Sequence, residues 1–509
     1  MTKRQFPRSD TGNAEVIAAL FGDELCYDHK QGRWLIWNKS RRRWNEDKTN
    51  EIRKFAIQAA RHRLMLAIRI ADKDERETEI RWAIHCEDRH RLDAALEIAK
   101  SLAPICDPGD RWDANPWLFG VANGVVNLKT GKLRCEWPDD RITKHSPVYF
   151  NLSAACPRFE QFLSEIFTGV IALIDYTLRV VGYCLTGLVK EQCVFCWYGS
   201  GANGKTTLCL VLRYIFGDYA VNLPFSALEL KNRNTNDLVA LAGARLATAA
   251  ETNEGVRLNE ARIKVLTGGD PITARRLYHE SFTFDPSHKL VLAFNHKPII
   301  ADDSEGMWRR VHLTPFTCSF LEKPDQELPD QLKAEAPGIL AWAVRGCLLW
   351  QENGLGAPPA VAEATAAYRE ESDHVGEFIE DCCVVEPGAK VASSVLWERY
   401  QKWVRVNEEV PLSRQVFAER LVRRGFRRNR GGHGGTRTWA GLRLLETTSP
   451  SDGDTVTQDD AVSDNSPTSA GNGKFSESAS PYVTVSPLRK GNGRNTPVKQ
   501  RCERFAKLI

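Results

Sequence analysis

The sequence predicts an α/β protein with a phosphate-binding loop, an N-terminal region of helices and hairpins, and a C-terminal winged helix. Three observations predict this architecture. Strands and helices alternate from about residue 194 to residue 316, which is typical of a parallel sheet. A complete G-x-x-x-x-G-K-[ST] motif lies between the first of these strands and the next helix. Two amphipathic helices and a basic hairpin follow near the C-terminus.

The composition is that of a chain with three or four ordinary domains. The 509 residues are 42% hydrophobic, which is enough for buried cores. The net charge is only +4, so binding to nucleic acid has to be argued from local charge. We find no run of about 18 apolar residues and no apolar stretch at the N-terminus. We therefore expect no membrane span, no secretory signal and an intracellular protein.

The region before the phosphate-binding motif is predicted to contain hairpins and charged helices. Aromatic runs around a polar turn predict a hairpin from Gly32 to Asn45, and residues 50–102 have a charged helical pattern. Residues 117–133 alternate around Thr130 and Gly131, which predicts a second hairpin, and residues 159–188 are apolar with helical spacing. The predicted divisions are a flexible leader (1–10), a hairpin and helical region (11–105), an α+β domain (106–190), the P-loop domain with its C-terminal helices (191–370), a winged helix (371–445) and a disordered tail (446–509).

The phosphate-binding motif is the strongest functional signal in the chain. It follows the apolar strand VFCWY and leads into the apolar helix TTLCLVLRYIF, which is the context the motif requires. Glycines allow the backbone to wrap around phosphates, and the amide groups at the helix N-terminus then point at negative charge. Lys205 is expected on the β- and γ-phosphates and the Thr206 hydroxyl on Mg²⁺. The predicted nucleotide-binding residues are Gly199, Ser200, Gly201, Ala202, Asn203, Gly204, Lys205, Thr206 and Thr207.

Two further strands end in polar residues that suit nucleotide hydrolysis. The strand in ARLATAAETNEG ends at Glu251, whose carboxylate could hold Mg²⁺ through water or orient the attacking water. Glu254 is the competing acid, and a plain surface acid is the alternative for both. The strand in KLVLAFNHKP ends at Asn295, whose amide could fix the hydrolytic water against the γ-phosphate.

One pair of cysteines has CxxC spacing, and we interpret it as structural. Cys193 and Cys196 lie in an apolar run that is typical of a buried strand, and no second pair has zinc-finger spacing. Metal binding or redox chemistry is the alternative. The 14 cysteines are mostly isolated, which fits a reducing cytoplasm.

The C-terminal module has the order helix, helix and basic hairpin, which suggests a winged helix. The helices are SSVLWERYQKWVRVN and LSRQVFAERLVRRGF, and RRNRGGHGGTRTWAGLRLL supplies the hairpin. Clustered positive charge here is the footprint of phosphate contact, although a winged helix used for protein contact is the alternative. The predicted DNA-binding arginines of this module are Arg423, Arg424, Arg427, Arg428, Arg430 and Arg437.

The run of motifs resembles superfamily 3 helicases, and more narrowly the helicase part of the phage and plasmid primase-helicases related to the poxvirus primase-helicase. The segments that carry the likeness, in order, are GSGANGKTT, AAETNEG, KVLTGGDPITARRLY, KLVLAFNHKP and EGMWRRVHLTPF. The resemblance covers about residues 10–445. It implies a homo-hexameric ring of AAA+-like domains that binds ATP and Mg²⁺ and hydrolyses ATP between subunits. It also implies movement on single-stranded or forked DNA, usually 3′ to 5′, in the cytoplasm of a bacterial host.

The resemblance assigns roles to particular residues. Lys205 and Thr206 match the family's phosphate loop, Glu251 its acid and Asn295 its sensor residue. Arg310 matches the arginine finger that acts on the neighbouring subunit's nucleotide, with Arg309 as second choice; surface charge beside a strand is the alternative.

The segment from Lys264 to Tyr278 matches the family's channel hairpin. Near its tip, Arg275, Arg276 and Tyr278 could grip a phosphate and stack a base. Together with Lys264 they are the predicted DNA contacts of this region. The alternative is that Arg275 and Arg276 form ion pairs between subunits.

One departure from the family concerns the primase. The helicase-type opening begins almost at Met1, without an acid constellation or zinc-ligand set before it. We therefore expect a helicase with its primase encoded elsewhere or absent, and with a separate primase or polymerase as partner. A nucleotide-switch loader of the AAA+ type and an origin-binding protein, neither of which unwinds DNA, are the alternatives.

Overall fold

A computed structural model describes residues 6–232, 234–250, 255–277, 280–322, 325–407, 411–429 and 437–445. The chain divides into two compact units, Met1–Ser372 and Asp373–Ile509. The predicted tail, residues 446–509, lies outside the described residues, as do the first five residues of the predicted leader. Within the first unit, a mixed α/β arrangement surrounds one central parallel sheet.

The N-terminal part of the first unit combines four helices with a four-stranded sheet in the order β3-β2-β1-β4. The hairpin predicted from Gly32 to Asn45 is present as β2 and β3, and their register pairs Trp37 with Trp44. The two indole rings meet edge to face at 5.5 Å, which fixes the hairpin against its neighbours. The elements are α1 (Asp10–Phe21), β1 (Leu25–Asp28), β2 (Arg33–Asn38), β3 (Arg43–Glu46), α2 (Ile52–Ala67), α3 (Lys73–His85), α4 (Arg89–Ala99) and β4 (Cys106–Asp107).

The second predicted hairpin is part of a three-stranded meander. Its turn at Thr130 and Gly131 joins β6 to β7, and Gly131 has the positive φ of 69° that such a turn needs. A further short turn at residues 122–123 adds one more strand to the meander. The strands are β5 (Leu118–Val121), β6 (Gly124–Asn127) and β7 (Lys132–Arg134).

The central sheet has five parallel strands in the order β14-β8-β13-β10-β9. All five strands therefore end at the same edge, and this carboxyl edge is where open α/β sheets bind ligands. The antiparallel hairpin β11–β12 is inserted between β10 and β13. The elements are β8 (Val194–Tyr198), α7 (Lys205–Phe216), β9 (Ala220–Pro224), β10 (Leu246–Ala250), α8 (Glu260–Thr267), β11 (Ile272–Arg275), β12 (Ser281–Phe284), β13 (Lys289–Phe294), α9 (Glu305–Trp308) and β14 (Val311–Pro315).

Two buried cations join the amino edge of this sheet to the segments before it. Arg245 donates hydrogen bonds of 2.6 Å to the carbonyls of Leu185 and Leu118, and its guanidinium lies 4.6 Å from the Tyr219 ring. Lys289 donates to the Ser287 carbonyl at 3.0 Å and to the Thr186 carbonyl. Burial lowers the pKa of Lys289 to about 7. These carbonyl contacts hold the sheet in place under the helices that precede the phosphate-binding motif.

Five helices pack around the sheet. Two of them precede its strands in the sequence and three follow them, in the segments where helices were predicted. α6 and α11 cross closely because Gly182 and Gly346 leave room; a Cβ on Gly182 would lie 2.0 Å from the Cys347 nitrogen. In the described part of the chain, no single helix is long and apolar enough to cross a membrane, and α5 with α6 reaches that length only across a 120° bend. The helices are α5 (Pro157–Ile166), α6 (Ile171–Leu185), α10 (Leu328–Ala334), α11 (Ala336–Asn353) and α12 (Pro359–Glu371).

The second unit has its own core and a three-stranded sheet in the order β15-β17-β16. The two predicted helices are present as α14 and α15, and the predicted hairpin strands as β16 and β17. The helix α13 and the long strand β15, which pairs with β17, were not predicted. The elements are α13 (His374–Cys382), β15 (Cys383–Ala392), α14 (Ser393–Val406), α15 (Arg414–Arg423), β16 (Arg427–Asn429) and β17 (Thr438–Leu444).

Candidate nucleotide-binding site

The loop of residues 199–204 connects β8 to α7 in a tightly curled conformation. Gly201, Ala202 and Gly204 have φ angles of 109°, 47° and 84°, which favour glycine at the first and last positions. A Cβ on Gly204 would lie 2.5 Å from the Cγ2 atom of Ile166, so the close approach of α5 also requires glycine there. The loop ends at the N-terminus of the 12-residue helix α7, where unpaired amide groups favour an anion.

Lys205 is buried at the start of α7, and within the part of the chain that the structure describes its ammonium group donates to neutral oxygens. Its Nζ donates to the Gly199 carbonyl at 2.8 Å, to Oδ1 of Asn203 at 2.7 Å and to Oδ1 of Asn295 at 3.0 Å. Burial lowers the pKa of Lys205 to about 8. Carbonyl and amide oxygens carry no net charge, so among the described residues these three acceptors leave the charge of the buried ammonium available for a phosphate group.

A cavity of about 510 Å³ opens over this loop, large enough for a nucleotide. Thr206 is exposed in the first turn of α7, where its hydroxyl can reach a metal ion beside the phosphates. Of the predicted residues, Gly201 to Thr207 and Asn295 line the cavity. Sequence reasoning missed the remaining lining residues, which are Arg158, Phe162, Glu165, Phe320, Asp325 and Leu328.

Arg158 is the most informative of the missed residues. It begins α5 and donates to Glu165 at 3.3 Å, Gln331 at 3.2 Å and Asp325 at 3.4 Å. Two of these three partners, Gln331 and Asp325, lie more than 100 positions away in the sequence. No local sequence pattern therefore indicates that Arg158 belongs to the site. It brings a guanidinium to the cavity wall, where Glu165 and Asp325 balance its charge.

The carboxyl edge of the sheet brings Asn295 beside the loop. β13 lies next to β8, and their last residues, Phe294 and Tyr198, are paired. Asn295 and Gly199, which follow these two strands, therefore lie at the same level of the sheet. β10 lies next to β13 and its last residue, Ala250, pairs with Ala293. Glu251 and Glu254 follow β10 but lie outside the described residues, so the choice between them stays a prediction.

Arg309 and Arg310 lie at the opposite, amino edge of the sheet and differ in their surroundings. Arg310 is half-buried, and its guanidinium donates to the carbonyls of Gly306 at 3.0 Å and Gln192 at 3.1 Å. Arg309 is exposed and donates to the side-chain oxygen of Gln192 at 3.1 Å. Both residues are therefore remote from the loop of their own subunit.

The hairpin β11–β12 places two of its predicted DNA contacts near its tip. Arg275 pairs with Ser281 at the end of the ladder, and the exposed Arg276 follows, with its guanidinium 5.7 Å from the Phe282 ring. Tyr278 lies outside the described residues. The turn at residues 268–271 ends α8 and leads into β11 rather than forming the tip.

Lys264 lies on α8 rather than on the hairpin itself. Its ammonium donates to Asp302 and, at 3.2 Å, to the Ser304 hydroxyl. The hydrogen bonds from Lys264 and Ser304 lower the pKa of the Asp302 carboxyl against the effect of its burial. Any contact of Lys264 with DNA would therefore compete with this ion pair.

In the second unit, a cavity of about 810 Å³ lies between α14, α15 and the hairpin β16–β17. Arg423, Arg428 and Arg437 line it together with Arg414, which the sequence reasoning did not single out. The Arg428 guanidinium lies 5.9 Å from the Trp439 ring.

The other predicted arginines of this unit lie elsewhere. Arg424 forms an ion pair with Asp373, and Arg427 is exposed at the start of β16. Arg430 lies outside the described residues.

Cys193 lies directly before β8 and Cys196 in the middle of that strand, and both are buried. Burial raises the pKa of both thiols, to about 12 for Cys196, so neither is a ready thiolate at neutral pH. This environment agrees with the structural interpretation of the pair.

Comparison with family models matches three parts of the chain. Residues 14–168 match the family described as D5 N terminal like, residues 197–310 match a family of unknown function, and residues 370–425 match the poxvirus D5 protein-like family. The first and last matches flank the central sheet, and the second covers the loop, Asn295 and Arg310.

Comparison with curated proteins finds relatives in large DNA viruses. "Putative helicase L207/L206" of Acanthamoeba polyphaga mimivirus is 29% identical over 323 residues, covering 58% of this chain and 34% of that protein. "Putative primase C962R" of African swine fever virus (strain Badajoz 1971 Vero-adapted) is 26% identical over 329 residues, with 58% and 34% covered. "Putative helicase 022R" of Frog virus 3 (isolate Goorha) is 24% identical over 386 residues, with 59% and 40% covered. The chain thus spans about a third of the length of the curated relatives it matches.

Among solved structures, the apo form of the NrS-1 C-terminal region is similar at 10% identity. The likeness covers 85% of this chain and 99% of that one, with a TM-score of 0.48.

Proposed function

We propose that the chain, which matches the D5 N terminal like family over residues 14–168 and the poxvirus D5 protein-like family over residues 370–425, is an ATP-dependent replicative DNA helicase of a phage, prophage or plasmid. The proposal includes a homo-hexameric ring that translocates 3′ to 5′ on single-stranded DNA in the cytoplasm of a bacterial host. The observation that carries it is the buried Lys205 ammonium at the N-terminus of α7, whose partners among the described residues are three neutral oxygens. A buried positive charge of this kind is stabilised when a phosphate group takes the place of these partners.

We assign the nucleotide chemistry to groups at the carboxyl edge of the sheet. Lys205 and the amides of the loop hold the phosphates, and the Thr206 hydroxyl and the Glu251 carboxylate, directly or through water, hold Mg²⁺. The ion, when bound, neutralises charge that develops on the phosphates. Glu251 takes a proton from the attacking water, and the Asn295 amide orients that water.

We assign DNA contact to two basic surfaces. The hairpin β11–β12 carries Arg275 and Arg276 towards its tip and serves as the channel hairpin. The second unit has the element order helix, strand, helix, helix, strand, strand, which supports a winged helix whose basic cavity faces DNA phosphates. Lys264, Tyr278 and Arg430 remain proposed contacts.

The deciding experiment measures strand separation on a forked DNA duplex with ATP and Mg²⁺. The native chain is expected to separate the strands, and Lys205→Ala is expected to abolish both unwinding and hydrolysis. Lys333→Ala is the matched control, since Lys333 is a half-exposed lysine paired with Asp330 on α10. ATP hydrolysis without strand separation would instead identify a loader of the AAA+ type.

A further inference from the structure

Arg310 is held inside its own subunit by acceptors from three segments. Its guanidinium donates to Gly306 in α9, to Gln192 before β8, and to Thr267 at the end of α8, at 3.4 Å for the carbonyl and 3.3 Å for Oγ1. The Arg310 carbonyl also accepts the Val194 amide at 2.7 Å, which joins the residue to the sheet. A guanidinium engaged in this way is not available to a neighbouring subunit without breaking several charge-assisted bonds.

Arg309 is adjacent in sequence but faces solvent. It caps the C-terminal end of α9, and its described hydrogen bond is the one to the flexible side chain of Gln192. Exchanging that bond for a phosphate oxygen requires only side-chain rotation. Arg309 is therefore the better placed of the two to reach outside the subunit.

Neither arginine can reach the phosphate loop of its own chain. β14 and β8 run parallel, with Val311 opposite Val194 and Pro315 opposite Tyr198. Arg310 is therefore level with Cys193, and six strand positions at about 3.3 Å each separate it from Gly199 by about 20 Å, which exceeds the reach of an arginine side chain. A nucleotide contact from this edge therefore has to be made with another subunit.

Thr267 connects Arg310 to the hairpin. It is the last residue of α8, it is buried, and its Oγ1 also donates to the Ile263 carbonyl at 2.7 Å. Five residues later the chain enters β11, which carries Arg275. Thr267 thus connects the segment that leads into the hairpin with Arg310, which is adjacent to Arg309 in the sequence.

We propose that Arg309 contacts the ATP of the neighbouring subunit, and that Arg310 is a positioning residue that links the DNA-contacting hairpin to Arg309. The inference rests on the proposed helicase function and deepens it, because it states how DNA in the channel controls hydrolysis at the next site. It reverses the order of the two arginines expected from the family resemblance.

The test measures ATP hydrolysis with and without a saturating single-stranded oligonucleotide, together with the mass of the assembly. Arg309→Ala is expected to lower the rate about 10³-fold or more under both conditions, as for loss of an arginine finger. Arg310→Ala is expected to keep a DNA-free rate at least about tenfold above that of Arg309→Ala and to lose most of the stimulation by DNA.

Thr267→Val, which keeps the side-chain shape and removes one acceptor of Arg310, is expected to retain the DNA-free rate and lower the stimulation. Arg61→Ala, an exposed arginine on α2, is the matched control.

Normal hydrolysis by Arg309→Ala would overturn the inference, as would equal loss in Arg310→Ala and Arg309→Ala at unchanged assembly mass. If Arg310→Ala does not fold, Thr267→Val decides, and unchanged stimulation by DNA in that variant would overturn the link. Lys205→Ala distinguishes failure of this inference from failure of the helicase proposal. If Lys205→Ala is inactive while Arg309→Ala is active, the helicase proposal stands and only the inference fails. Full hydrolysis by Lys205→Ala would remove both.

Discussion

Lys205 and Asn295 are joined by a hydrogen bond of 3.0 Å from Nζ to Oδ1, which connects the loop after β8 to the end of β13. A hydrogen bond with a charged partner contributes about 1.5–3 kcal/mol, so the bond preorganises the lysine. A γ-phosphate that replaces the amide oxygen on Nζ comes within reach of Asn295 as well. Binding of a phosphate therefore breaks the hydrogen bond between Lys205 and Asn295 and leaves the Asn295 amide beside the phosphate.

The lowered pKa of Lys205 predicts that ATP binding takes up a proton above about pH 8. Burial lowers the pKa of Lys205 to about 8, and the phosphates of ATP are expected to raise it because opposite charges favour the protonated form. Above pH 8 the free protein therefore carries fewer protons than the complex, and the apparent affinity falls as pH rises, by up to about tenfold per pH unit. Below pH 7 the lysine is protonated in both states and contributes no pH dependence.

Calorimetric titration with ATP at pH 8.5, in buffers of different ionisation enthalpy, measures this proton uptake directly. Lys205→Arg is the control, because a guanidinium stays charged throughout this range. The same proton uptake in both proteins at pH 8.5 would show that another group titrates.

Glu251→Gln is expected to keep ATP binding and to lower turnover by about 10²–10⁴-fold, since it removes the general base while preserving the side-chain shape. β10 ends at the edge of the sheet that also carries Asn295, which favours the residue directly after the strand. Binding of a fluorescent nucleotide and steady-state hydrolysis separate the two effects. Glu254→Gln is the matched variant, and a large loss of turnover in it alone would show that Glu254 is the acid.

Local sequence patterns predicted the parts of the site that local structure builds. The loop, the start of α7 and Asn295 follow from a strand, a glycine-rich turn and a second strand, each contained within a dozen residues. Arg158 and Phe320 reach the cavity from segments far away in sequence, so no pattern around either residue could place them there.

Two features that the sequence did not show have equally specific causes. Pro387 and Gly388 resemble a turn, but they lie within β15 where its register with β17 shifts between Val385 and Lys390, so the strand was missed. The environment of Arg310 depends on Gln192 and Thr267, and the sequence alone does not show that these residues meet it.

The basic cavity of the second unit predicts a graded effect of its arginines on DNA binding. Arg428→Ala and Arg437→Ala are each expected to weaken binding and to reduce the slope of log K against log salt by about 0.7–0.9, because each removes one phosphate contact. Arg424→Ala is the control, since Arg424 is already paired with Asp373 and its loss is expected to change stability rather than the slope. Fluorescence anisotropy at several salt concentrations checks this. A slope altered by Arg424→Ala and not by the other two would place the DNA on a different face.

Mixed assemblies test the placement of the phosphate loop and the arginines at opposite edges of the sheet. If each active site combines Lys205 of one subunit with Arg309 of the next, homomers of Lys205→Ala and of Arg309→Ala are both inactive. Mixing the two under conditions of subunit exchange leaves about one interface in four with both residues intact, because the contact between subunits in a ring is head to tail. A trans arginine raises the hydrolysis rate about 10³–10⁵-fold, so even this fraction of complete interfaces gives a rate far above the background.

The control mixes Lys205→Ala with the double variant Lys205→Ala/Arg309→Ala, in which no interface can be complete. Recovery of DNA-stimulated hydrolysis only in the first mixture is the expected result, whereas an arginine that acted within its own subunit would leave both mixtures inactive.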